Sequence, residues 1–490
     1  GFNNNLVDSI NKELNIFSLG IPLKNDESFT VESFTVGSTT FIQCNRWEHC
    51  VIEGITFDGS NYEVGNKQGN ANNWNIIMTG GCDDLTIRNC VFKNSIMAGI
   101  QITGICNSYS PAYHDLPNNV LVDNCTFFNN GRGDIEVIHG NNIDITNCVG
   151  NGVLDIEANA TEISENVRMT NCTFKQTTPY IPGSLNSASS IYYMNCSFER
   201  FICQDAVNIY ITNCRIHHFC PYNCSINIFN GSINIFGSYM TFHGNERINM
   251  VGGYILQMYT TNPASKYGSE DIKISNVVID LSISRNLQLV TKKMHIRDSI
   301  IYSKYRTVEF YMSGCHGSVY ENVTFDGILY QEHKGYSSIG HTYRDCTFLR
   351  TGVSTTIRTG GHYYNCHIGC SLLGMYNPLR IYNCVMDYNI KPQISGYEAI
   401  SVNGLCATNG QGIDWGWITV GTNAEATKLR FHNVWLSEKV PNFLGISNYY
   451  YSVGTNTVMK NSTVFWTDSD TKFASKVIYT SDNKLSLLNI

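Results

Sequence analysis

Charge is scarce in this chain. Of its 490 residues only 15% are charged, the net charge is −7, and no run of Lys or Arg occurs. That excludes the electrostatic footprint of a nucleic-acid binder. Long hydrophobic runs are missing as well: no apolar stretch approaches the roughly 20 residues of a membrane span. The first residues carry neither a basic nor an apolar leader segment, so a signal peptide is expected to be absent or already removed. Gly1 then reads as a start that leaves out an upstream domain. Proline is sparse, 10 residues against 41 Gly. What the 19 cysteines lack is paired spacing in loops, and their number is odd. This argues against a secreted disulfide framework. They read instead as small buried side chains, mostly reduced, which fits folding in a reducing cytoplasm.

What the chain does have is a repeat. Asn-Cys recurs at Asn89-Cys90, Asn124-Cys125, Asn147-Cys148, Asn171-Cys172, Asn195-Cys196, Asn213-Cys214, Asn365-Cys366 and Asn383-Cys384, with variants such as Asn276-Val277, Asp298-Ser299, Asn322-Val323 and Asp345-Cys346 between. From Asn147 the steps are 24, 24 and 18 residues. A period near 20–25 residues marks a solenoid.

The residues around each Asn identify the element. In Leu85-Thr86-Ile87-Arg88-Asn89-Cys90-Val91-Phe92 apolar and polar residues alternate, the period of a strand with one buried face. Leu85 and Ile87 face inward before the Asn, Cys90 and Phe92 after it, so the alternation slips by one. A bend with Asn at positive φ makes that slip. Stacking would set these Asn side chains about 4.8 Å apart, in a ladder of amide hydrogen bonds above columns of inward Cys, Ile, Val and Phe.

This pattern resembles the right-handed parallel β-helix of the pectate-lyase-like superfamily, from about Val51 to Thr463. The expected fold is all-β, a single-stranded right-handed parallel β-helix solenoid with an N-terminal capping helix. Leu6, Ile10, Leu14 and Ile16-Phe17 have helical spacing and would cover the open edge of the first coil. The expected division is a cap segment over 1–40, the β-helix over 41–470 and a C-terminal cap or tail over 471–490. Insertions near Ile105–Asn118, Tyr254–Gly268 and Lys391–Glu425 break the spacing and would wall one side of the helix.

The densest chemistry lies in two neighbouring coils. Gly131-Arg132-Gly133-Asp134-Ile135-Glu136-Val137 is followed by Gly152-Val153-Leu154-Asp155-Ile156-Glu157-Ala158. Taken as one coil of 21 residues, this sets Asp134 over Asp155 and Glu136 over Glu157, all four pointing outward. So many like charges in a stack require a shared proton or a bound cation. A proton pair is what glycosidases use, with carboxyl groups about 5 Å apart for retention or about 6.5–9.5 Å for inversion. The alternatives are a structural Ca2+ site at this acidic patch or a plain solvated surface. Arg132 and His139 flank the patch as candidate helpers. A second row offers Glu309, Tyr311 and Arg358, with His333, Lys334 and His341 in nearby turns. Tyr is abundant, and Trp415 and Trp417 would stack on sugar rings. His217-His218-Phe219-Cys220-Pro221-Tyr222-Asn223-Cys224 loosely resembles a zinc cluster, but core Cys and surface His is the preferred reading, with no metal.

Gly152-Val153-Leu154-Asp155-Ile156-Glu157-Ala158-Asn159 is similar to the Gly-Ile-Asp-Ile-Glu-Pro-Asn segment of β-helix proteins from phage tails and glycan-active bacterial enzymes. It departs by one inserted residue and by Ala158 in place of Pro. The polygalacturonase set of Asn-Thr-Asp, Asp-Asp, Gly-His-Gly and Arg-Ile-Lys is missing. The resemblance implies a tailspike depolymerase that cleaves a bacterial surface polysaccharide, capsule or O-antigen, by glycoside hydrolysis rather than elimination. It implies a homotrimer on a virion tail, with no cofactor, nucleic acid or membrane partner. The other readings are a non-catalytic glycan-binding β-helix and a secreted polysaccharide lyase.

Overall fold

The computed structural model describes residues 42–45, 47–59, 77–95, 97–104, 116–157, 164–180, 190–206, 208–222, 224–236, 247–258, 271–282, 287–288, 294–304, 308–311, 317–326, 328–331, 341–349, 356–357, 361–369, 371–374 and 379–387, and shorter strands from there to 489. The expected capping helix and most of the three insertions lie outside these residues. The chain forms two compact units, Gly1–Asn234 and Ile235–Ile490. Among the described residues no helix is long and apolar enough to cross a membrane.

In the first unit every strand pairs in parallel with its counterpart one coil away. Ile87 pairs with Val122, Val122 with Ile145, Ile145 with Met169, Met169 with Tyr193, and Tyr193 with Ile211. This is a parallel β-helix. Each early coil has three strands, as in Asn118–Asp123, Thr126–Phe128 and Gly133–Val137. From Thr173–Tyr180 onward the second and third strands run together.

The bends are made as the repeat requires. Asn89, Asn124, Asn147, Asn171, Asn195 and Asn213 all have φ between +49° and +56°. Asn124 Nδ2 donates to Asn89 Oδ1 at 2.7 Å, Asn171 to Asn147 at 3.1 Å and Asn195 to Asn171 at 3.2 Å. One rung sidesteps, since Asn147 Nδ2 donates to Asp123 Oδ1 instead. After each bend the Cys sulfur turns inward and donates to the carbonyl two residues back and to one in the coil below, as Cys148 does to Thr146 O and Val122 O. The carbonyl two residues back already accepts a backbone amide, as Thr146 O does from Asn124 N at 3.0 Å, so the thiol adds a second, weak donor to it,. All 15 cysteines among the described residues are free, and all but Cys220 are buried.

A second row of bends has no Asn-Cys to announce it. Asp84, Asn119, Asn142, Asn166 and Asn208 also have positive φ, each five residues before an Asn of the first row. Asn119 Nδ2 donates to Asp84 Oδ1 and Asn142 Nδ2 to Asn119 Oδ1, at 3.0 and 3.2 Å. Inside the tube Phe57, Phe92 and Phe127 stack at centroid distances of 5.1 and 5.0 Å. Each buried ring contributes about 1.5–3 kcal/mol of transfer free energy.

The second unit repeats the construction. Asp271–Asp280, Met294–Tyr302 and Val319–Asp326 pair in parallel, and Tyr320, Tyr343 and Tyr363 stack in its core. Its last strands change direction: Ser462–Thr467, Phe473–Ser481 and Lys484–Asn489 pair antiparallel.

Candidate active site

The acidic cluster sits on the third face of the first unit, but not in the register that its sequence twins suggest. Glu136 pairs with Asp155, and Ile135 with Leu154. Asp155 therefore stacks on Glu136, not on Asp134, and Glu157 does not stack on Glu136. The cause is a corner. The coil step is 23 residues where Phe127 pairs with Gly150, but 19 where Glu136 pairs with Asp155. The lower coil thus carries four extra residues in its corner at 129–132. An even shift preserves the alternation, so Asp155 and Glu157 remain on the outward side of their strand while Leu154 and Ile156 fill the core.

Those extra residues fold over the lower strand, and the expectation of four exposed carboxylates fails there. Asp134 is fully buried and Glu136 is 2% exposed. Asp134 Oδ1 accepts from Asn130 Nδ2 at 2.9 Å and Oδ2 from the Gly152 amide at 2.6 Å. Added Cβ atoms at Gly150 and Gly152 would lie 2.2 and 2.7 Å from its oxygens. The carboxylate fits only because both positions are glycine. Asp134 pins the corner and is closed to a substrate. Burial pushes its pKa up, against the pull of Asn130 and the Gly152 amide.

Glu136 Oε2 accepts from Gln101 Nε2 at 3.0 Å in the coil below. Its Oε1 makes no directed hydrogen bond and is met by Arg132 Nε at 3.3 Å. Burial raises the Glu136 pKa, Arg132 and Gln101 oppose this, and Asp155 and Glu157 add to it. Asp155 is half-buried. Burial raises its pKa too; a hydrogen bond from Thr178 in the next coil and the charge of Arg132 oppose this, while Glu157 reinforces it. Glu157 is half-exposed, with Oε2 2.6 Å from Arg132 Nη2. Gln101, Glu136, Asp155 and Thr178 form one polar column across four coils.

His139 is 2% exposed, so it does not stand at the surface beside the carboxylates. Glu309 and Tyr311 lie on Val308–Tyr311 of the second unit, paired with Leu329 and Gln331. Arg358, His333, Lys334, Trp415 and Trp417 fall outside the described residues. His341 is buried against Tyr320 and Tyr343 rather than in a surface turn. Cys224 is buried and His217 exposed, as core Cys and surface His requires, but Cys220 is only half-buried. Among the described residues no group of three or more His, Cys, Asp or Glu side chains could hold a metal ion. The clamp residues Asn130, Gln101 and Thr178 had no signal of their own. Only the longer corner, Asn129-Asn130-Gly131-Arg132, is visible in the sequence.

No family model matches the chain, and no curated protein matches it. Similar solved structures include a mannuronic acid-specific polysaccharide family 6 lyase from human gut microbiota, at 13% identity and TM-score 0.28, over 83% of this chain and 90% of that one. A mutant tailspike protein of E. coli bacteriophage HK620 aligns at 11% identity and TM-score 0.22, over 88% of this chain and 76% of the other. The class is set by the strand pairing itself, a parallel β-helix.

Proposed function

We propose that this chain is a polysaccharide depolymerase that hydrolyses a bacterial surface glycan, with Asp155 as proton donor and Glu157 as the carboxylate that activates water. One observation carries the reading: two outward carboxyls alternate on one strand, one with its pKa raised and the other paired with Arg132. Alternate strand residues lie about 6.5–7 Å apart, within the spacing that lets a water attack with inversion. Burial and the charge of Glu157 both favour the protonated form of Asp155,. The reading extends to a tailspike-like homotrimer on a virion tail, folded in host cytoplasm. The free, buried thiols of the described residues support folding in a reducing compartment,.

The test is digestion of a panel of bacterial surface polysaccharides by the full chain, following reducing ends and ultraviolet absorbance together. Hydrolysis produces reducing ends without absorbance. Products with an absorbing double bond would replace hydrolysis by elimination, and a panel bound but uncut would leave a binding module.

A further inference from the structure

Above the carboxylates the same corner of the helix becomes basic. Gln176 pairs with Arg200 and Arg200 with His218, while Phe174 pairs with Phe198 and Phe198 with Ile216. The residues between keep step, so Lys175, Glu199 and His217 occupy the neighbouring column. Arg215 stands above Ser197 in the column beyond. Lys175, Arg200, Arg215 and His217 are exposed and His218 is half-buried. Glu199 is the single carboxylate at these positions. The chain as a whole carries a net charge of −7, so this is a local reversal of sign.

The reversal has an electrostatic cost in the empty protein. The rings of His217 and His218 lie 4.5 Å apart between centroids. The His218 pKa is pushed down by burial, then by His217 and Arg200, and only Glu199 pulls it up. Like charges stacked on adjacent strands are unfavourable unless something offsets them. An anion does so, and the Arg fork matches a carboxylate or a phosphate with two parallel hydrogen bonds. Coils repeat at about 4.8 Å, so Arg200 lies roughly 10 Å and His218 roughly 14 Å along the axis from the Asp155 coil.

We propose that this corner is a subsite that grips an acidic group, carboxylate or phosphate, on the glycan whose chain runs along the helix axis to Asp155 and Glu157. The substrate is therefore an acidic polysaccharide. The inference rests on the third face being the glycan-bearing surface. His218 makes the grip tighten as pH falls, because its protonation adds a cation beside Arg200,.

The experiment takes a panel of bacterial surface polysaccharides, each native, carboxyl-reduced and dephosphorylated, and measures retention on the full chain. The polymers retained should be acidic. One of the two treatments should weaken each of them at least about tenfold, and so should the double substitution Arg200→Gln with His218→Gln, at unchanged melting temperature. Binding should be tighter at about pH 5.5 than at about pH 8. Equal retention after both treatments, or by the double variant, overturns the subsite while leaving the depolymerase reading in place. Equal retention of a DNA oligonucleotide also overturns it, since the corner would then be a general polyanion surface. A panel neither retained nor cut removes the depolymerase reading and this inference together.

Discussion

Arg132 holds the buried Glu136 through Nε at 3.3 Å while its Nη2 reaches Glu157, one coil up, at 2.6 Å. One guanidinium thus serves a closed carboxyl and an open one. Its charge also opposes the burial that raises the Glu136 pKa. Arg132→Gln should therefore move Glu136 further up, as read from its side-chain carboxyl carbon by NMR titration. The variant should lose more melting temperature at about pH 8 than at about pH 5, because the unpaired carboxyl escapes its cost by keeping the proton. An unmoved Glu136 titration would mean the ion pair does not form in solution.

The sign of the Glu136 shift gives a second expectation. The folded pKa lies above the ordinary 4.5, so the folded protein binds the proton more tightly than the unfolded chain. The stability this contributes is fully present below about 4.5 and is lost as pH rises through the folded value. Glu136→Gln removes that loss and keeps the shape. Its melting temperature relative to the parent should climb from about pH 4.5 and level off once pH has passed the folded value. Asp134 and Asp155 are shifted the same way, so the parent itself should lose part of its stability between acid and neutral pH. A pH-independent difference would show that Glu136 is solvated.

The Asn ladder combines a backbone strain and a side-chain bond, and two substitutions separate them. Asn171 has φ +55° and donates to Asn147 at 3.1 Å. Asn171→Leu loses both the amide bonds and a residue that tolerates positive φ, at about 1–3 kcal/mol. Asn171→Gly restores the backbone freedom and should recover part of that. Chemical denaturation measures both. Equal losses would assign the whole effect to the amide stack.

How far the sequence carries depends on whether a property repeats. The Asn-Cys slip is local chemistry, repeated coil after coil, and it locates the strands, the inward columns and the amide ladder. The second bend row was equally available, because Asp84, Asn119 and Asn142 each precede an Asn of the first row by five residues. The site was legible only in part. Asp155 and Glu157 could be assigned outward from the alternation of their own strand. The register between coils could not, because Asp-Ile-Glu at 134–136 and at 155–157 look equivalent while the corner before the first is four residues longer. Burial of Asp134 and Glu136 follows from that corner folding over them, a contact between segments that no periodicity within either strand reveals.

The thiols give a separate check. The 15 described cysteines are free, and Cys125, Cys148, Cys172 and Cys196 continue one column. Stacked neighbours come near disulfide distance, but parallel columns do not present the required dihedral without distortion. Titration in denaturant should find close to all 19 cysteines of the chain as free thiols, and slow reaction before unfolding. Several disulfides in the native protein would count against folding in a reducing compartment.

The carboxylates themselves decide between chemistry and structure. Asp155→Asn and Glu157→Gln each keep shape and remove a proton-transfer group, which costs about 10²–10⁴-fold in rate. Asp155→Asn should hold or raise the melting temperature at neutral pH, since its carboxyl is raised by burial and by Glu157. Glu157→Gln gives up the ion pair with Arg132. That pair is partly exposed, so the loss should be no more than about 1 kcal/mol. Asp134→Asn should behave differently. It weakens the clamp on the Gly152 amide, so its activity should fall only as far as its fold loosens. A Ca2+ site at the patch predicts another pairing: chelation, or either outward substitution, lowers the melting temperature first and activity only with it. Rates and melting curves on the same variants, with and without chelator, therefore separate the readings. Full activity in both Asp155→Asn and Glu157→Gln would move the chemistry away from this face.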